Sequence, residues 1–221
     1  PIVSGPTYVG AIVIFLFILG LLLVKNELRI WILLATVMSL MLAWGKNFMP
    51  LTDFFLDYFP GYNKFRAVSM ILVIAEFTIP LLAFIALNKF LSSNSKFEDL
   101  KKLKIAFYTA GGITLIFALF PNMFLDFLSE KDLTPISSGV KTPDGFLDGL
   151  IADRSSLLQS DSWRSFLFIL LSFGVLFAFI KEKLNKKYAI LLIGALLIAD
   201  MWNINKRYLN DEHFVRKNKV K

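Results

Sequence analysis

Six long apolar runs are the feature of this sequence that most constrains its fold. Short polar segments separate these runs, which occupy residues 8–24, 30–44, 68–90, 105–120, 165–180 and 188–204. A helix needs about 20 mostly apolar residues to cross the hydrocarbon core of a bilayer. Hydrophobic residues make up 56% of the 221, which is more apolar surface than a soluble core of this size can bury. The sequence therefore predicts an all-α fold, a polytopic transmembrane helical bundle of about six spans.

The basic residues indicate how such a bundle is oriented. In a six-span chain the lysine-rich connections 25–29, 92–104 and 181–187 all lie on one side. The positive-inside rule places that side in the cytoplasm, so the loops 45–67 and 121–164 face out. The formal net charge of +7 is thus divided among connections and tail, and no nucleic-acid-binding surface is predicted.

The two ends of the chain predict that it is a piece of a longer protein. The first residue is Pro1 rather than Met, and a basic tail follows the sixth run. Translocated domains override the positive-inside rule, so the tail fits a continuation on the outer side. We therefore divide the chain into a membrane region, 1–210, and the start of an extracytoplasmic tail, 211–221.

The residue types that are missing exclude several classes of chemistry. The chain has no cysteine and one histidine, so disulfides, thiolate metal sites and histidine-rich metal sites are excluded. It also has no Walker loop, nucleophile elbow, dinucleotide-binding glycine motif or HExxH motif. Nothing in the sequence therefore predicts nucleotide-driven transport, and a divalent metal ion is the one cofactor that stays open.

The loop 45–67 carries an aromatic cluster at helical spacing, formed by Phe54, Phe55, Tyr58 and Phe59. Aromatic rings favour the headgroup layer of a membrane, so the cluster predicts an interfacial amphipathic helix. Thr52 or Asp53 is the predicted N-cap, and Pro60–Gly61 the predicted end.

Charged residues of the same loop are candidates for substrate binding. Asp53 and Asp57 are four apart, so a helix places both carboxylates on one face. Such a pair can hold a divalent metal ion or contact an acceptor, or it can be a solvated face. Lys64 and Arg66 follow at the mouth of the third run, where they could bind a specific phosphate or snorkel to headgroups.

Two acidic residues lie inside predicted spans. Glu76 is in the third run, one turn before Pro80, and Asp200 is near the outer end of the sixth. An ionisable group inside a membrane is costly and faces the bundle interior or a wet cavity. Glu76 could bind substrate, shuttle protons, act as a base or pair structurally with a buried Arg, Lys or Ser, and Asp200 has the same alternatives. Elsewhere, Asp161 and Arg164 are predicted to pair at i,i+3.

Three segments carry a resemblance to a known family. They are WGKNFMPLTDFFLDYFPGYNKFRAVSMILVIAEFTIP at 44–80, ADRSSLLQSDSWRSFLFILL at 152–171 and ADMWNINKRYLNDEHFV at 199–215. The chain resembles the YfhO family of bacterial membrane proteins, which is similar to the GT-C superfamily of glycosyltransferases. The resemblance covers nearly the whole chain, but it includes no catalytic signature, and the outer loop that usually carries the key acid would precede Pro1.

The resemblance implies sugar transfer from a polyprenyl-phosphate donor to an envelope glycopolymer acceptor, on the outer face of the bacterial inner (cytoplasmic) membrane. Lys64 and Arg66 would then bind the lipid phosphate, whereas the catalytic residues stay unknown. Two alternatives remain open. The chain could be a transporter or flippase that uses Glu76 and Asp200, or a non-catalytic membrane scaffold.

Overall fold

The chain is an all-helical bundle, as predicted. A computed structural model describes residues 7–64, 68–93, 95–123, 125–128, 132 and 145–208, and no β-strand occurs among them. The helices are α1 (Ala11–Leu23), α2 (Glu27–Ala43), α3 (Met49–Tyr58), α4 (Leu72–Leu91), α5 (Lys96–Leu119), α6 (Phe146–Ile180) and α7 (Lys186–Tyr208). The predicted tail, 211–221, lies outside the described residues.

Helix α1 is the centre of the bundle. It packs against α4, α5, α6 and α7, and nine of its 13 residues are buried. A helix that is apolar on every face is stable only when neighbours surround it, and α1 consists entirely of apolar residues and Gly20. At 1.5 Å per residue α1 spans about 20 Å, less than the roughly 30 Å of a hydrocarbon core.

Four other helices are long and apolar enough to cross a membrane, namely α4, α5, α6 and α7. Together with the buried α1 they make the chain a multi-pass membrane protein. The predicted fifth span, 165–180, is the second half of α6, which is one continuous helix of 35 residues from Phe146 to Ile180. Its outer half is fixed to the end of α5, since Ser155 Oγ donates to Asn122 Oδ1 at 2.6 Å and Gln159 Nε2 donates to the Ala118 carbonyl at 3.0 Å.

Three short turns lie at the same end of the bundle, and we call this end the hinge end. Turns there join α1 to α2, α4 to α5 and α6 to α7, and Lys186 Nζ donates to Ser92 Oγ across two of them. The opposite end, which carries α3, is the α3 end. Exposed tryptophans mark it on three helices, at Trp44, Trp163 and Trp202. Tryptophan favours the membrane–water interface, so this level fits the headgroup region of one leaflet.

Helix α3 has the predicted aromatic cluster but not the predicted cap. The rings of Phe55 and Phe59 stack with centroids 4.7 Å apart, as helical spacing requires. The helix begins at Met49, so the expected N-cap at Thr52 or Asp53 is wrong. The Thr52 side chain is buried within the first turn, where its hydroxyl donates back to the Gly45 carbonyl at 3.1 Å. The helix ends at Tyr58, before the predicted Pro60–Gly61 stop.

Two groups of helices diverge on either side of α1. On one side α4 packs on α1 and α2; on the other, α5 packs on α1 and α6, while α4 and α5 barely touch. The small residues Ala106, Ala110 and Ala118 of α5 are buried in this second group, as expected for a small-residue packing seam. This arrangement leaves a gap at the α3 end, next to the start of α1.

The closest approach of α1 and α4 gives a testable prediction. A Cβ atom at Gly20 would lie 2.8 Å from Leu82 Cγ and 3.0 Å from the Leu82 carbonyl oxygen. We expect Gly20→Ala to lower the free energy of unfolding by about 1–3 kcal/mol, because the two helices must separate. Reversible unfolding in mixed detergent micelles measures this change.

The matched control is Gly174→Ala in α6, where nothing lies within 4 Å of an added Cβ. Alanine is the better helix former, so this variant should be neutral or up to about 1 kcal/mol more stable. Equal effects of the two substitutions would contradict the tight α1–α4 contact.

Candidate functional site

A cavity of about 460 Å³ occupies the gap at the α3 end. Helix α1 forms its floor, and α2, α4, α5 and α6 supply its walls. Most of its surface is apolar, from side chains such as Ile14, Leu40, Ile79, Ile113 and Ile169. Apolar pockets with a few polar groups are typical of small-molecule sites, so this cavity is the candidate functional site.

Glu76 is the one charged residue that lines the cavity among the residues that the structure describes. Its side chain is exposed, and no described residue lies within hydrogen-bonding distance of its carboxylate. Pro80 has no amide N–H, so the Glu76 backbone carbonyl also lacks its helical donor. The wall formed by α4 therefore offers the cavity the Glu76 carboxylate.

The rim of the cavity is held by a carboxylate from a distant helix. Asp200 of α7 is fully buried, and its Oδ2 accepts the backbone N–H of Ala11 at 2.9 Å. Its Oδ1 accepts the hydroxyl of Tyr8 at 2.9 Å. The first amides of a helix have no partner within the helix, so Asp200 acts as the cap of α1 in place of Gly10, which has no side chain. Tyr8, Gly10 and Ala11 also line the cavity.

Arg164 completes this cluster. Its Nη2 donates to the Tyr8 hydroxyl at 3.2 Å, and its guanidinium lies 5.4 Å from the centre of the Tyr8 ring. Tyr8 thus connects the positive charge of Arg164 to the negative charge of Asp200. The predicted pair of Asp161 with Arg164 is wrong, since Asp161 instead forms an ion pair with Arg207, 2.8 Å away.

The structure separates the residues predicted to bind substrate. Glu76 lines the cavity, but Asp53 and Asp57 are exposed on α3 and do not line it. Lys64 is exposed in a short 3₁₀ turn after α3, and Arg66 lies outside the described residues. No group of three His, Cys, Asp or Glu side chains suited to a metal ion occurs in the described part of the chain.

Sequence reasoning missed the connection between Tyr8, Arg164 and Asp200. The expected depth of these residues in the membrane could have suggested the connection, because Arg164 precedes the fifth apolar run and Asp200 is near the outer end of the sixth. Both residues therefore lie at the same level of the bundle, and a membrane-embedded acid needs a partner there. Tyr8 begins the first run at this level, but the capping of α1 depends on contacts between helices that are 189 residues apart in sequence.

The capping role of Asp200 makes a direct prediction. Asp200→Ala should destabilise the protein by about 3 kcal/mol, because it removes the stronger acceptor of the Ala11 amide, which keeps only the Tyr8 hydroxyl at 3.2 Å, and the carboxylate that Tyr8 links to Arg164. Asp200→Asn keeps one acceptor oxygen and should cost less. Hydrogen exchange at the Ala11 amide should become faster in Asp200→Ala than in the native protein. Unchanged exchange at that amide would show that Asp200 is not its partner.

Comparisons of the chain with protein-family models, with curated proteins and with solved structures gave no match. The resemblance to the YfhO family accordingly stays a prediction from sequence. The physical basis for a function is the cavity and the Glu76 carboxylate in its described lining.

Proposed function

We propose that the chain is the membrane part of a glycosyltransferase of the YfhO type, similar to the GT-C enzymes. It would transfer a sugar from a polyprenyl-phosphate donor to a cell-envelope acceptor on the outer face of the bacterial inner membrane. The observation that supports this most is the cavity, because its mostly apolar lining includes the Glu76 side chain. Such a site suits a reaction between a lipid-linked donor and a hydroxyl group.

The chemistry assigned to the cavity is a substitution at the anomeric carbon of the donor sugar. An acceptor hydroxyl oxygen forms the new bond to that carbon, and the bond from the carbon to the phosphate oxygen breaks. The polyprenyl phosphate leaves with the bonding electrons, and the hydroxyl proton passes to a carboxylate base. Glu76 is our candidate for that base, since its carboxylate has no partner in the described part of the chain.

Negative charge develops on the phosphate of the donor as it leaves, so positively charged groups are needed beside it. Lys64 is exposed at the α3 end, and Arg66 follows it by two residues in the sequence. We assign the phosphate to these two residues as part of the proposal. Asp53 and Asp57 of α3 would then contact the acceptor, or a divalent metal, from the outer surface.

A transporter or flippase is the weaker alternative. It would need Glu76 and Asp200 as coupling sites, but Asp200 is already engaged by the Ala11 amide and the Tyr8 hydroxyl. A carboxylate that caps a helix cannot release its partners without loosening α1. No observation specifically favours the third alternative, a non-catalytic scaffold.

Glu76 provides the test of the proposed function. Glu76→Gln should lower sugar transfer by at least about 100-fold, because general-base catalysis typically contributes that much. The assay follows labelled sugar from polyprenyl-phosphate glucose and polyprenyl-phosphate mannose into an envelope fraction, with the protein in proteoliposomes.

The matched control is Glu98→Gln. Glu98 is an exposed acid near the hinge end of α5, where it pairs with Lys102 at 3.6 Å. This control should transfer sugar like the native protein. Native activity in Glu76→Gln, or no transfer by the native protein from either donor, would refute the proposal.

A further inference from the structure

We propose that a second pocket, at the hinge end of the bundle, binds the ammonium of a phosphatidylethanolamine head group on the Asp99 carboxylate. The pocket has a volume of about 210 Å³ and is formed by the end of α4, the first turn of α5 and the turn between α6 and α7. It lies at the opposite end of the bundle from the cavity that contains Glu76, so the inference does not rest on the proposed function.

The Asp99 side chain is the main evidence for this site. Asp99 lies in the first turn of α5, and only 6% of the residue is exposed. Its backbone amide donates to the Ser95 carbonyl at 3.1 Å, but its carboxylate has no hydrogen bond or ion pair in the described part of the chain. Buried charges are ordinarily paired, because a carboxylate removed from water without a partner is costly. Since Asp99 lines the pocket, a partner can reach it there.

The other charged residues of the pocket favour a cation as that partner. They are Glu182 and Lys186, so acids outnumber bases in the described lining. The Lys186 ammonium donates to Ser92 Oγ at 2.9 Å rather than to Asp99. A primary ammonium from outside the chain carries the opposite charge and donates three hydrogen bonds. It therefore fits the Asp99 carboxylate, whereas an anion does not.

A divalent metal ion fits the pocket less well than an ammonium. Calcium takes six to eight oxygen ligands and magnesium requires a near-ideal octahedron, so a protein site for either usually gathers several carboxylates. Asp99 and Glu182 are the two acids of the described lining. No group of three His, Cys, Asp or Glu side chains suited to a metal ion occurs among the residues that the structure describes.

The position of the pocket indicates that the amine belongs to a lipid. Four helices that are long and apolar enough to cross a membrane meet here, because α4 and α6 end beside the pocket and α5 and α7 begin beside it. The ends of membrane-spanning helices lie at the level of the lipid head groups. Apolar side chains form the rest of the wall, namely Phe90, Phe179, Ile180 and Leu184. A lipid can place its ammonium in the pocket while its acyl chains stay in the bilayer.

Lys186 distinguishes among the lipids that could enter. It is exposed at the rim, where its positive charge attracts a lipid phosphate. Phosphatidylethanolamine offers both a phosphate for Lys186 and a primary ammonium for Asp99. Phosphatidylglycerol offers no cation, and the trimethylammonium of phosphatidylcholine has no N–H to donate to a carboxylate. The pocket should therefore select phosphatidylethanolamine.

Native mass spectrometry of the protein in detergent micelles tests this selection. The probes are dioleoyl phosphatidylethanolamine, its N-methyl derivative, phosphatidylcholine and phosphatidylglycerol. We expect phosphatidylethanolamine to bind at least about tenfold more tightly than phosphatidylcholine or phosphatidylglycerol, with the N-methyl derivative between them. In Asp99→Asn the preference over phosphatidylcholine should fall below about threefold, because the negative charge is lost.

The matched control is Glu98→Gln in the same turn of α5, where Glu98 is exposed and pairs with Lys102. This variant should keep the native preference, and its loss there would show that surface charge selects the lipid rather than Asp99. Glycerophosphoethanolamine, which has the head group without acyl chains, should bind at least about tenfold more weakly than the lipid. Equal binding of the two would assign the pocket to a soluble amine and overturn the proposal.

Equal affinity of the native protein for phosphatidylethanolamine and phosphatidylcholine would also overturn the proposal, and so would an undiminished preference in folded Asp99→Asn. The ranking of the four lipids on the native protein decides the question even where Asp99→Asn fails to fold. Sugar transfer is not needed for any of these measurements, so their outcome is separate from that of the proposed function.

Discussion

The hydrogen bond from the Ala11 amide to the Asp200 carboxylate is the interaction on which the arrangement of this bundle depends. Helix α1 is surrounded by four helices and begins inside the bundle, next to the non-helical residues 7–10. Backbone groups at membrane depth must be satisfied within the protein, because lipid offers no partners. Asp200 meets that requirement from α7, and Tyr8 joins it to Arg164 of α6. One carboxylate thus fixes the start of α1 relative to two other helices.

The cavity follows from the same arrangement. At 13 residues, α1 is too short to fill the bundle along its whole length, and the cavity lies at the α3 end, where α1 begins. The gap above α1 is lined by apolar side chains and by Glu76. The rim carboxylate has its partners, whereas the wall carboxylate has none among the described residues. This difference assigns a structural role to Asp200 and leaves Glu76 as the group available to a ligand.

The positions of the helices could be predicted from the sequence because a helix that crosses a bilayer needs about 20 mostly apolar residues. The runs at 68–90 and 188–204 correspond closely to α4 and α7, and Glu76 lies in α4, which is long and apolar enough to cross a membrane. Local rules failed where a distant partner was involved. Thr52 has the side chain of an N-cap, yet it lies buried within α3. Asp161 has an arginine three residues away, yet it pairs with Arg207 of another helix. Such contacts depend on the packing of helices, which spacing along one helix does not encode.

Cysteine accessibility tests the central claim, that a cavity containing Glu76 opens at the α3 end above a closed packing core. The natural sequence has no cysteine, so each introduced thiol reports on one position. Cysteines are placed singly at Glu76 and at Leu82, which is fully buried six residues further along α4. An impermeant maleimide added from the α3 side should label the cysteine at Glu76 and leave the one at Leu82 unmodified. Equal labelling of both positions, or no labelling at Glu76, would contradict this account.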